Sequence, residues 1–230
     1  GGEAGAMRLT LISVAISVAA LLASAALPAL AQGSSSAGSG RGIFTGGERG
    51  AYHSLFCPPF PPALSRAYFN GYQCTTSRGT LDNIQRALPA PRSIGFAQLD
   101  AYEREAQRPP QEFQRLTLIR RDIACEGLWM VTRNDRLNNL GDVQGLARRI
   151  PFILPPRESG SAASFFFLRD NDPDGLGRVQ ESNIRFARDA TDVIEQVANA
   201  GDGAVGFFVQ FADPTNANIR LLVERNLRTV

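Results

Sequence analysis

The sequence predicts an α/β protein built as two lobes around a central cleft. Three observations carry this reading. From residue 42 onward, short apolar runs alternate with amphipathic ones, the order that gives parallel sheets with right-handed crossovers. The first runs end in loops rich in Gly, Ser and Thr just before a helical pattern begins. Residues 204–211 are almost continuously apolar, as in a strand buried on both faces.

Taken in order, residues 42–45 read as a strand followed by the turn Gly46-Gly47-Glu48-Arg49-Gly50. Residues 51–56 begin a helix, which Cys57-Pro58-Pro59-Phe60-Pro61-Pro62 must interrupt because proline removes a donor and clashes with the preceding turn. Pro62 suits the first position of a second helical piece, 63–70. Residues 72–76 form the second strand. A helix follows at 80–88, with Leu81, Ile84 and Leu88 at helical spacing. Residues 93–97 are a third strand and 98–107 a third helix. Residues 116–119 and 128–132 read as two extended strands, the second leading out of the first lobe. Then come a short helix at 140–146 and a strand at 150–154 that stops at Pro155-Pro156. The turn 157–161 opens a helix at 162–169, whose Phe165-Phe166-Phe167 is expected to be buried. A polar loop at 171–177 leads to a strand at 184–187. A helix at 190–200 turns Val193, Ile194 and Val197 inward. The strand 204–211 and a helix at 216–225 complete the chain.

The amino-terminal segment is of another kind. Met7 and Arg8 precede the apolar run 9–27, and Ala29-Leu30-Ala31 places small residues at the two positions a signal peptidase reads. Residues 1–31 are therefore expected to be a leader with a cleaved signal peptide, and the residues before Met7 are set aside. The alternative is an uncleaved anchor, since the run approaches the roughly 18–20 residues that span a bilayer. Residues 32–41, mostly Gly and Ser, read as a flexible linker. The expected lobes are 42–130 and 131–230. Either reading puts the working part outside the cytoplasm, and the expected location is periplasmic.

Removing the leader leaves about 200 residues, enough for one ordinary domain or two small lobes. The net charge is +2, and every basic residue is Arg, scattered without a basic run. Nucleic acid is therefore not an expected partner. Of the three cysteines, an exported chain is expected to pair two and leave one. Cys57 and Cys74 are the favoured pair because they fall in one lobe; a pairing of either with Cys125 stays open on sequence alone. One His and no C-x-x-C give no basis for a metal site, and no cofactor is expected.

Several of these segments resemble a known family. Ile43-Phe44-Thr45-Gly46-Gly47 followed by Gly50-Ala51-Tyr52 is similar to the opening strand, glycine turn and helix of the TAXI-type solute receptors. Thr75-Thr76-Ser77-Arg78-Gly79-Thr80 with Asn83 resembles their second loop. Ile94-Gly95-Phe96-Ala97-Gln98-Leu99-Asp100 resembles their third strand and loop. Residues 155–161 fall where the family has a Gly/Pro/Ser-rich loop before a helix. The resemblance implies a type II periplasmic-binding-protein fold. It also implies capture of a small anionic solute, an organic acid or acidic amino acid, for the permease subunits of a TRAP-type transporter. The chain departs from the family at the broken first helix. It also lacks the family's carboxyl-terminal return to the first lobe, and so reads as truncated.

The candidate ligand residues follow from these loops. Thr45 opens the first candidate loop, in which Gly46, Gly47 and Gly50 could expose backbone N–H groups to an anion; an ordinary strand–helix turn is the alternative. Tyr52 could stack on or hydrogen-bond a ligand, or pack in the core. Ser77, Gly79 and Thr80 offer hydroxyls and amides, though Thr80 could simply cap its helix. Asn83 lies one turn further in. Gln98 and Asp100 follow the third strand, where Asp100 could instead only complement the helix dipole. Ser159, Gly160 and Ser161 form the second lobe's turn. Arg133, just after the second extended strand, is the candidate to pair with the ligand carboxylate, since a guanidinium fork matches two oxygens; a surface role is the alternative in so arginine-rich a chain. Two other classes stay open. One is a binding-protein-like signalling or scaffold module without a transporter. The other is a thiol enzyme using His53 and Cys57, which are spaced as helix neighbours.

Overall fold

The computed structural model describes residues 41–107 and 115–230. The expected leader and nearly all of the linker lie outside the described residues. The described residues form one compact unit. Among the described residues no helix is long and apolar enough to cross a membrane.

Two sheets organise this unit. The first comprises β1 (Arg41–Phe44), β2 (Tyr72–Thr75) and β3 (Ile94–Gly95), parallel and ordered β2-β1-β3. The second comprises β4 (Glu126–Thr132), β5 (Phe152–Leu154), β6 (Ile184–Phe186), β7 (Val205–Phe211) and β8 (Arg228–Thr229), ordered β6-β5-β7-β4-β8. There β5 pairs parallel with β6 and β7, whereas β4 is antiparallel to both β7 and β8. β4 spans the lobe boundary expected at residue 131, and all of its residues pair within the second sheet. In each sheet a central strand, β1 or β5, has its sequence successors on opposite sides. Such a switch point leaves a crevice at the carboxyl ends of the strands. This is the two-lobed α/β architecture expected from the sequence.

Helices α1 (Phe60–Arg66), α2 (Thr80–Ala87) and α3 (Leu99–Ala106) belong to the first sheet's connections. Helices α4 (Leu140–Leu146), α5 (Gly160–Asn171), α6 (Ala190–Asn199) and α7 (Ala217–Glu224) belong to the second. The break before α1 falls where the prolines demand it: a π-helical turn, Tyr52–Phe56, ends at Cys57, and Pro61 and Pro62 sit in the first turn of α1. Tyr68, with φ +64°, closes that segment. Cys57 is fully buried and bridged to Cys74, tying the π-helical turn to β2; Cys125 is free and exposed.

The cores differ in size. The apolar cluster on the first sheet is small, with Ile43, Cys57 and Phe96 buried and rings such as Tyr52 and Phe60 half-buried around them. The second sheet is buried on both faces. On one side Phe165 packs against Phe152 and Phe207, at centroid distances of 5.4 and 5.3 Å. On the other, Val193, Ile194 and Val197 of α6 meet Phe208 and Val131. The expected burial of the phenylalanine triplet holds fully for Phe165 alone. Phe166 is half-buried, and Phe167 is exposed beneath the Arg104 guanidinium.

The strand expected at 116–119 does not form. Leu118 and Ile119 are exposed, and the segment pairs with nothing in either sheet, so its apolar run has no strand edge to join. The polar loop at 171–177 is a loop only in part, because Leu176–Arg178 closes as a 3-10 turn over Asp172.

Candidate functional site

The carboxyl ends of six parallel strands and the start of antiparallel β4 surround one cavity of about 90 Å³. From the first sheet come the turn after β1, the loop after β2, and Gln98 after β3. From the second come the loops after β5 and β6, the end of β7, and Glu126 opening β4. The loops touch directly across it. Leu81 N–H donates to the Glu158 carbonyl at 2.9 Å, so a second-sheet loop caps the amino end of α2. Arg78 pairs with Glu158 at 3.0 Å, and Ser164 Oγ donates to Asp100 at 2.6 Å. Asn216 Nδ2 donates to the Arg49 carbonyl at 3.2 Å.

Hydroxyls and helix amino ends set the chemistry of the walls. Ser77 Oγ accepts from Gly79 N–H at 3.1 Å, and Thr80 Oγ1 from Gln98 N–H at 3.0 Å. Ser159 Oγ accepts from Ala162 N–H at 3.0 Å, and Ser161 Oγ from Val209 N–H at 2.9 Å. A hydroxyl carries one proton besides its lone pairs. Among the described residues, none of these four gives its proton to a protein acceptor. The first intrahelical bond of α5 runs from Ala163 N–H to the Ser159 carbonyl. The amides of Gly160 and Ser161 precede it and have no partner among the described residues. Helices α2, α5 and α6 all begin at the cavity, and their amino ends carry partial positive charge.

Two carboxylates also line the cavity: Asp189, which caps the amino end of α6, and Glu126. Glu126 Oε2 accepts from Tyr52 OH at 2.7 Å, and the Tyr52 ring stacks on Phe96 at 5.4 Å. Burial pushes the Glu126 carboxyl above its ordinary value; the Tyr52 hydrogen bond opposes this, and the Asp100 carboxylate adds to it. Burial, followed by the Glu126 charge, likewise holds the Tyr52 phenol well above its ordinary range. A carboxyl whose folded value is raised gives stability that is complete below the ordinary Glu range. That contribution is lost as pH rises through the folded value. Glu126→Gln keeps an acceptor for Tyr52 and removes the ionisation. Calorimetric melting from about pH 4 to about pH 7.5 should show wild type losing stability relative to the variant as pH rises. Parallel profiles would show that Glu126 ionises without cost.

Ten of the sequence-derived candidates line the cavity: Gly46, Gly47, Tyr52, Ser77, Gly79, Thr80, Gln98, Ser159, Gly160 and Ser161. Four do not. Thr45 is fully buried, its Oγ1 bonded to the Thr75 carbonyl at 2.9 Å and to His53 Nδ1 at 3.0 Å. Asn83 is buried as a backbone clamp, Nδ2 donating to the Thr45 and Phe96 carbonyls at 2.6 and 2.8 Å. Asp100 is engaged by Ser164, bridging α3 to α5. Arg133 is displaced most. Because β4 runs antiparallel to β7, its start lies at the cavity and its end points away. Arg133 is thus roughly 20 Å along the strand from Glu126, and its guanidinium donates to the Arg225 carbonyl. The thiol-enzyme pairing also fails, because Cys57 is held in the disulfide and has no thiolate to offer.

Sequence reasoning missed Glu126 and the cavity arginines Arg49, Arg78 and Arg188. Arg49 and Arg78 lie inside the turns already singled out. Glu126 gave no signal, since the strand pattern begins at Leu128. The arginines are not equivalent. Arg78 pairs with Asp82 and Glu158, and Arg188 with Asp192. Burial alone would raise the Asp82 carboxyl, but the Arg78 amide and the Arg86 and Arg78 guanidiniums hold it below its ordinary value. Arg49 forms no close ion pair among the described residues, although its charge acts on the Glu195 carboxylate.

No protein-family model matches the chain, and neither does any curated protein. Among solved structures it is similar to one described as the substrate binding domain of a molybdenum ABC transporter from Clostridium difficile. Identity is 15% and the TM-score 0.37, over 82% of this chain and 76% of that chain. A likeness this distant carries no functional weight, and the fold class rests on strand order and connection.

Proposed function

We propose that this chain is an exported receptor that captures a small anionic solute, an organic acid or an acidic amino acid, for a membrane transporter of the TRAP class. One observation carries the reading: four hydroxyls with uncommitted protons and three helix amino ends converge on one cavity where the two sheets' loops meet. Such a wall of neutral donors and aligned dipoles favours negative charge. The TRAP assignment draws its support from the likeness of the three first-lobe loops to the TAXI receptors, and export from the leader pattern of residues 1–31.

Binding by both sheets' loops would favour the closed arrangement, since only there do both contact the solute. Arg49, the cavity guanidinium in no close ion pair among the described residues, replaces Arg133 as the charge that meets the solute. The reading is tested by thermal shift against a broad panel of organic acids and amino acids. A true ligand at about 100 times its Kd adds about 2.7 kcal/mol, or roughly 5–10 °C for a domain of this size. No shift from any member would overturn the receptor assignment. Calorimetry on a ligand so found should show Arg49→Ala binding about tenfold more weakly, a loss of ~1.4 kcal/mol, and Arg133→Ala binding like wild type. The reverse order would return the charge to Arg133.

A further inference from the structure

We propose that the captured solute carries an ammonium group beside its anionic group, and that Glu126 receives it, which makes the solute class amino acids. This rests on the receptor reading above. Glu126 opens β4 and faces a cavity whose remaining walls are mostly donors. Only Oε2 is engaged, by Tyr52 OH at 2.7 Å. Oε1 has no protein partner among the described residues and is not sealed from the cavity. The cavity guanidiniums do not neutralise it: Arg78 and Arg188 are held by Asp82, Glu158 and Asp192, and the Arg49 charge acts on Glu195.

Of the other carboxylates nearby, Asp100 does not line the cavity, and Asp189, which does, has the Arg188 guanidinium beside it. Asp100 accepts from Ser164, and Asp189 caps α6 by accepting from Asp192 N–H at 2.8 Å. A carboxylate with one hydrogen bond, desolvated when a solute fills the cavity, is costly unless a cation joins it. In so small a cavity a solute with negative charge alone would lie against Glu126 and be repelled. A primary ammonium brings three donors and a positive charge, matching Oε1 on one side while the amides of Gly160 and Ser161 take the solute's carboxylate on the other. Burial and the Asp100 charge push the Glu126 carboxyl upward in the empty protein, a cost that an ammonium partner would relieve.

The test uses pairs of probes that differ only in amine against hydroxyl: L-glutamate and L-2-hydroxyglutarate, L-aspartate and L-malate, L-alanine and L-lactate, L-phenylalanine and L-phenyllactate. Sulfate and phosphate complete the panel. Titration calorimetry is run on the full chain and on Glu126→Gln, whose fold is checked by its melting temperature. The expected result is that at least one amino acid binds about tenfold or more tightly than its hydroxy partner. Glu126→Gln should remove that preference by weakening the amino acid and sparing the hydroxy acid. If hydroxy acids, dicarboxylates or the inorganic oxyanions bind as well as or better than the amino acids, the ammonium inference falls and the receptor reading stands. If the amine preference survives in Glu126→Gln, another group reads the amine and the role of Glu126 falls. If no probe binds, both fall.

Discussion

Replacing Gly79 with alanine is expected to lower the melting temperature by roughly 3–10 °C and to abolish stabilisation by solute. Gly79 is the amino cap of α2 with φ +115° and ψ −157°, a region that side chains avoid. Holding a non-glycine residue there costs about 1–3 kcal/mol, and each kcal/mol shifts a domain of this size by about 2–4 °C. A second penalty is steric. A Cβ at Gly79 would lie 2.9 Å from Ser159 Cα and 3.2 Å from Ser159 Cβ. The first of those atoms is backbone and cannot rotate aside. Separating the loops would relieve the clash but would also break the closed cavity, so the variant should lose binding beyond its loss of stability. Gly145→Ala is the control. Nothing lies within 4 Å of its Cβ and its φ is ordinary, so it should be neutral or stabilising by about 0.5–1 kcal/mol. Calorimetry and titration on both variants check this. A Gly79→Ala protein with wild-type melting and binding would show that the loops do not meet as described.

Much of the site was legible because helix starts announce themselves. Ser159 before Gly160, Thr80 after Gly79, and the glycines after β1 are small or hydroxylated residues placed where a strand hands over to a helix. That local signal locates a loop at the carboxyl end of a parallel strand whatever the rest of the fold does. What failed depended on facts that no local pattern holds. The apolar alternation of β4 identifies a strand but not its direction. Reading it as a connector put Arg133 at the cleft; antiparallel pairing with β7 puts Glu126 there instead. The short edge strand β8 pairs through only Arg228 and Thr229 and is too brief to show a period. Asn83, one turn into its helix, was expected to reach a ligand or else point to solvent, and sequence cannot say which acceptors a buried amide will meet. Here they are the main-chain carbonyls of Thr45 and Phe96, which Asn83 holds together. The apolar residues at 116–119 show the opposite failure, a strand-like composition with no edge on which to add.

The second large effect expected is from loss of the Cys57–Cys74 bridge. The two cysteines are 17 residues apart. Closing a loop of about that length restricts the unfolded chain enough to contribute ~3 kcal/mol in the entropic account. The double variant Cys57→Ser, Cys74→Ser should therefore melt roughly 6–12 °C below wild type. The loss should fall on the first sheet. Its apolar cluster is built on Ile43, Cys57 and Phe96, and the bridge from Cys57 to Cys74 lies within it. Small cores of this kind depend on staples. The second sheet has two well-filled faces of its own and does not share the bridge. Hydrogen exchange should accordingly show β1, β2 and the π-helical turn opening in the variant well before β5 and β7, while wild type protects both. Peptide mapping without reductant should recover Cys57 linked to Cys74. Thiol titration of the native protein should count one reactive group, at the exposed Cys125. Because the π-helical turn carries Tyr52 to the cavity, its loosening should also weaken solute binding. A double variant that melts with wild type, or a map that places Cys125 in the bridge, would overturn this account of how the first sheet is held together.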